Sequence, residues 1–142
     1  MNQIKQLRSQ LQKGKKIFHS KESSIHEQVA KYLKLQYPKI LFRTDFAAGM
    51  KMSIGQAKKH KDLQQGRSWP DLQVVAARKG YYGLFIELKR DGTRIFKRDK
   101  SFATDHIREQ NECMELLRSQ GYSAQFAIGF EEAKKIIDEY LR

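Results

Sequence analysis

At 142 residues the chain suffices for one compact core and leaves little room for a second. Its 28 Lys and Arg face 16 Asp and Glu, and the resulting net of +12 favours a polyanionic partner, nucleic acid first. One cysteine, Cys113, excludes an internal disulfide. No Cys–His cluster has zinc spacing, and no window is apolar enough for a signal peptide or a membrane span. These features predict a cytoplasmic protein with no membrane partner.

Residues 1–21 hold six Lys or Arg and no acid, and read as a basic N-terminal arm ahead of one domain over 22–142. From Glu22 the pattern turns helical: Ile25, Val29, Tyr32 and Leu33 fall at i, i+4, i+7 and i+8, and Tyr37-Pro38 ends the run. Residues 40–44 read as a short strand. Residues 46–70 show no clean periodicity, and part of them fits a short helix. The segment is rich in glycine and carries Lys51, Lys58, Lys59, Lys61 and Arg67.

Asp71 to Ala76 and Tyr81 to Lys89 read as two strands joined at Arg78-Lys79-Gly80, a β-hairpin. By the two-residue period, Leu84, Ile86 and Leu88 point one way, and Phe85, Glu87 and Lys89 the other. A second basic loop over 90–103 holds Arg90, Arg94, Lys97 and Arg98. A helix follows over about 104–120, with Ile107, Gln110, Met114 and Leu117 in one stripe and Gly121 as its stop. Residues 122–128 alternate as a strand, and 130–141 form an amphipathic helix. The order is α-β-β-β-α-β-α, an α/β sandwich.

The chemistry centres on Pro70-Asp71 and Glu87-Leu88-Lys89. A hairpin sets the start of one strand beside the end of the next, so Asp71 and Glu87 meet at one end of the sheet. Two carboxylates there offer hard oxygen ligands to Mg²⁺ or Mn²⁺, and the Leu88 carbonyl offers a third oxygen. Lys89, on the face of Glu87, is placed to act on a metal-bound water or a scissile phosphate. The competing reading of Glu-x-Lys is a solvated charge pair. Its place in the apolar run from Leu84 to Leu88 weighs against that.

These residues resemble the PD-(D/E)xK nuclease superfamily, and more narrowly its virus-type replication-repair nuclease (VRR-NUC) family. The resemblance covers most of 22–128. It rests on Glu22-x-x-Ile25, Trp69-Pro70-Asp71-Leu72, Ile86-Glu87-Leu88-Lys89, and Gln110 followed by Leu116-Leu117 and Gly121-Tyr122. It implies a restriction-endonuclease-like α-β-β-β-α-β core with a mixed sheet flanked by helices. It also implies a Mg²⁺- or Mn²⁺-dependent deoxyribonuclease. Asp71 and Glu87 would bind metal, Lys89 would be catalytic, Gln110 would assist, and a glutamate on the first helix would complete the site. Glu22 and Glu27 both qualify for that last role. Helix phase favours Glu22, which shares the face of Ile25 and Val29. His26, four residues after Glu22, could line the site, but an ordinary half-exposed histidine is the expectation. Gln110 has a second reading as a stripe glutamine bonded to backbone. The family often has Gly two residues before the proline, where this chain has Ser68.

The leading expectation is therefore a metal-dependent endonuclease on duplex or branched DNA. By analogy with Holliday-junction resolvases it would be a structure-selective homodimer, in a bacterial cell or a phage-infected host. Lys51, Lys58, Lys59, Lys61, Arg67, Arg90, Arg94, Lys97 and Arg98 would grip phosphates. The alternative is a non-catalytic basic DNA-binding module on the same fold.

Overall fold

The computed structural model describes residues 22–45 and 52–142; the basic arm over 1–21 and Lys51 lie outside them. The elements run α1 (Glu22–Gln36), β1 (Leu41–Thr44), α2 (Ile54–Asp62), β2 (Leu72–Val75), β3 (Leu84–Lys89), α3 (Asp105–Ser119), β4 (Ser123–Ile128) and α4 (Gly129–Leu141). The four strands make one sheet in the order β1-β2-β3-β4. The β1–β2 and β2–β3 pairs are antiparallel and β3–β4 is parallel, so the sheet is mixed.

The two faces of β3 divide the core as its alternation predicts. Leu84, Ile86 and Leu88 are buried with Leu72 and Val74 against α1 (Ile25, Val29, Leu33) and α4 (Ala133, Ile137, Tyr140). Phe85 faces the other way, onto Met114 and Leu117 of α3 and Ala124 of β4. Each fully buried aliphatic side chain contributes about 1.5–3 kcal/mol, so the larger first layer dominates stability. Asp138 of α4 ties down the end of α1: it accepts from the Tyr32 and Tyr37 hydroxyls and, at 3.1 Å, from Lys134 Nζ.

The hairpin strands are shorter than their hydrophobic pattern suggests. Lys79 (φ 53°) and Gly80 (φ 83°) are both left-handed and form a tight turn that Arg78 and Tyr81 close as an isolated bridge. The Tyr82 amide then donates to the Gly121 carbonyl (3.0 Å), and Gly83 accepts from Ser123 N (3.0 Å). Those bonds draw the chain toward β4, so β3 begins at Leu84 rather than Tyr81.

At the end of α3, Tyr122 N donates to Leu117 O and Gly121 N to Arg118 O, with Gly121 at φ 92°. This Schellman closure turns the chain directly into β4. Residues 95–103 form a small pinned hairpin rather than an open loop. Phe96 bridges Phe102, and their rings stack with centroids 5.2 Å apart.

Candidate active site

The site sits at the end of the sheet where β2 begins and β3 finishes. Leu72 pairs with Ile86, so the same register carried one step further sets Asp71 opposite Glu87. Asp71 Oδ2 accepts the Leu88 amide at 3.0 Å, a side chain continuing the ladder where β2 has ended. In a strand the N–H and C=O of one residue point to the same side. The Leu88 carbonyl therefore faces the gap beside Asp71.

Glu87 and Lys89 are buried, with 2% and 8% of their surfaces exposed, so the solvated-pair reading does not hold. Lys89 Nζ lies 3.4 Å from Glu87 Oε1. The same oxygen accepts from Gln110 Nε2 at 2.6 Å. Gln110 is thus bonded to the carboxylate and not to backbone; it crosses from α3 to reach it. Glu87 Oε2 is buried with no hydrogen-bond partner among the described residues, and Gln110 Oε1 is in the same position.

Burial pushes the Glu87 carboxyl up to about 9; the Asp71 charge adds to this and the Lys89 ammonium opposes it. A carboxyl held this way, beside a second carboxylate and with one oxygen unpartnered, has less positive charge around it than two carboxylates require: Lys89 supplies one. A divalent cation on Asp71, Glu87 and the Leu88 carbonyl fits that deficit. Two carboxylates are an ordinary protein share for Mg²⁺, whose remaining positions go to water and phosphate. Among the described residues, no group of three or more His, Cys, Asp or Glu side chains forms a metal cage.

His26 departs from expectation. It is 8% exposed, and its Nε2 lies 3.7 Å from Asp71 Oδ2 with no hydrogen-bond partner among the described residues. The helix that carries it packs flat on the sheet, which encloses the ring. The clue available in sequence is its spacing of four residues from Glu22. Glu22 opens α1 one turn before His26 on the same face; its side chain lies outside the described residues. Glu27 is exposed.

Lys58, Lys59 and Lys61 lie exposed on α2, and Arg67 is exposed on the loop after it. Arg90, Arg94, Lys97 and Arg98 are exposed on the segment that leaves β3 directly beyond Lys89.

No protein-family model matches the chain, and no curated protein matches it by sequence. Among solved structures the chain is similar to one described as a VRR_NUC domain protein. That likeness has a TM-score of 0.64 and 26% sequence identity, and covers 88% of this chain and 91% of the other. It spans nearly all of both chains, so the resemblance to a VRR-NUC domain extends from a few short motifs to the whole fold.

Proposed function

We propose that the chain hydrolyses DNA phosphodiester bonds at the Asp71–Glu87–Lys89 end of its sheet, with Mg²⁺ or Mn²⁺ as cofactor. The observation that carries this reading is the buried, half-unpartnered Glu87 carboxyl set between Asp71 and Lys89. Asp71, Glu87 and the Leu88 carbonyl would hold the ion, and Glu22 of α1 would complete the set. When bound, the ion supplies Lewis acidity and lowers the pKa of a coordinated water.

The protein's own groups do the rest. Leu88 N–H fixes Asp71, and Gln110 fixes the rotamer of Glu87. The Lys89 ammonium, anchored at Glu87, meets negative charge as it grows on the phosphoryl oxygens and orients the attacking water. The exposed cations of α2 and of residues 90–98 hold the DNA backbone on either side.

The finer reading is an endonuclease selective for branched DNA, acting as a homodimer in the cytoplasm of a bacterial cell or phage-infected host. It rests on analogy with junction-resolving relatives of the fold. Among the described residues no helix is long and apolar enough to cross a membrane.

The decisive experiment incubates the protein with branched, duplex and single-stranded DNA, with and without Mg²⁺ or Mn²⁺. Metal-dependent cleavage is expected, with Glu87→Gln abolishing it and leaving DNA binding intact. Absence of cleavage on every substrate refutes the proposal. Salt-dependent binding without cleavage would identify a non-catalytic module instead.

A further inference from the structure

A cleft of ≈ 450 Å³ opens beside Asp71, walled by Arg43, Asp45, His60, Trp69, Asp71 and Gln73 among others. Its position follows from the register of the sheet. Arg43 pairs with Gln73 and Gln73 with Phe85, which places these three in one row on the Glu87 side of the sheet. That row lies two residues along the strands from the Asp71–Glu87 pair, on the same face. The helix α3 packs over β3 and β4, leaving Arg43 exposed and Gln73 half-exposed on the β1–β2 side.

Trp69 stands over this row and is 40% exposed. Its indole N–H donates to the Gln65 carbonyl at 2.8 Å, and its ring tilts against Phe85 at 6.3 Å. One edge is therefore anchored while part of the surface is left for a ligand. Left-handed backbone at Gly66 (φ 89°) and Ser68 (φ 57°) bends the chain that presents it. The Arg43 Nε donates to Gln73 Oε1 at 3.0 Å, holding a cation and an amide together on the floor.

The contents of the cleft select its occupant. An aromatic surface, an amide and a guanidinium suit a nucleobase, which stacks on one and hydrogen-bonds to the others. Trp69 offers a stacking face that a base can use and a phosphate cannot, so the base enters and the sugar-phosphate stays at the mouth. The volume lies within the range of roughly 300–1,000 Å³ that takes one compact ligand. A base inside a duplex is stacked on both sides and cannot enter.

We propose that this cleft receives the unpaired base of a nucleotide next to the scissile phosphate, stacked on Trp69, and that it gives the enzyme a preference for DNA with single-stranded character. The proposal deepens the nuclease reading and rests on it for the position of the cut.

Trp69 is the chain's one tryptophan, so its emission reports on the cleft directly. The full chain, held in Ca²⁺, is titrated with a short oligothymidine and with a blunt duplex. Trp69 emission and the anisotropy of labelled DNA are followed in parallel. Oligothymidine should quench the emission and the duplex should not. Trp69→Ala should weaken oligothymidine binding about tenfold and leave duplex binding unchanged, with Trp69→Phe restoring most of the loss. Urea unfolding of both variants separates a lost contact from a lost fold. Oligothymidine binding with unchanged emission, or equal quenching by the duplex, overturns the proposal. Selective quenching in a protein that cleaves nothing would retain the base-binding cleft and refute the nuclease reading alone.

Discussion

Glu87→Gln should stabilise the metal-free protein, and increasingly so as pH rises. The carboxyl has a reference value of 4.5 and is pushed up to about 9 by burial first and the Asp71 charge second. A group that holds its proton more tightly when folded places the penalty of ionisation on the folded state. Stability is thus greatest below the unfolded value and falls as pH climbs toward the folded one. The slope is about 1.4 kcal/mol per pH unit, so between pH 6 and pH 8 the wild type should lose about 2–3 kcal/mol more than the variant. The glutamine stays neutral and its carbonyl can still accept from Gln110. The assay is urea unfolding of both proteins in chelator at the two pH values; the difference between them cancels the titrating groups that lie away from Glu87. Adding Mn²⁺ should reverse the ranking, raising the wild type by about 2.7 kcal/mol at a hundredfold excess over Kd while the variant gains little. Parallel pH profiles, agreeing within about 0.5 kcal/mol in chelator, would refute the assignment of a strained carboxyl to this position.

Lys89→Ala should lower kcat on a cleavable DNA by about 10²–10³-fold, with Kd in Ca²⁺ nearly unchanged; equal losses in both would make Lys89 a binding residue. Gly121→Ala should cost about 1–2 kcal/mol through its φ of 92°, read from urea midpoints. The added Cβ would come 2.7 Å from the Tyr82 ring, but that exposed ring can swing aside, so the further change Tyr82→Ala should recover little. Burial alone would raise Asp138, but hydrogen bonds from Tyr32, Tyr37 and Lys134 outweigh it and hold the carboxyl below 3.8. Its stabilisation is therefore present at neutral pH and lost as pH falls through the folded value. Asp138→Asn should cost about 1–2 kcal/mol at pH 7, with the gap closing as pH falls below the ordinary aspartate range in parallel thermal melts.

Where packing follows a short period, the chain could be read directly. The alternation from Leu84 to Lys89 separates a core face from a chemical face, and both are where that pattern puts them. Asp71 was legible because a hairpin's two ends must meet. The helix α2 was harder, because it buries no residue and so has no apolar stripe. Its trace in sequence is Ser53-Ile54-Gly55-Gln56, whose first and last members form a capping box. His26 was misjudged because its enclosure comes from the packing of α1 on the sheet, which brings it to Asp71, distant in sequence. The cleft was out of reach for the same reason: Arg43 and Gln73 are neighbours only across the ladder, and Trp69 joins them through a loop without periodicity.

The parts of the site join the chain on different schedules. Asp71, Glu87 and Lys89 all belong to one hairpin, a pairing of low sequence separation that forms early and cheaply. Gln110 arrives only when the crossover through α3 brings β4 alongside β3. Until then Glu87 stands in water as an ordinary ionised carboxylate. A chain emerging from the ribosome thus brings both carboxylates face to face before Glu87 is enclosed. Docking of α3 is the step that brings Gln110 onto the Glu87 carboxyl, and local opening of that helix would return Glu87 to water.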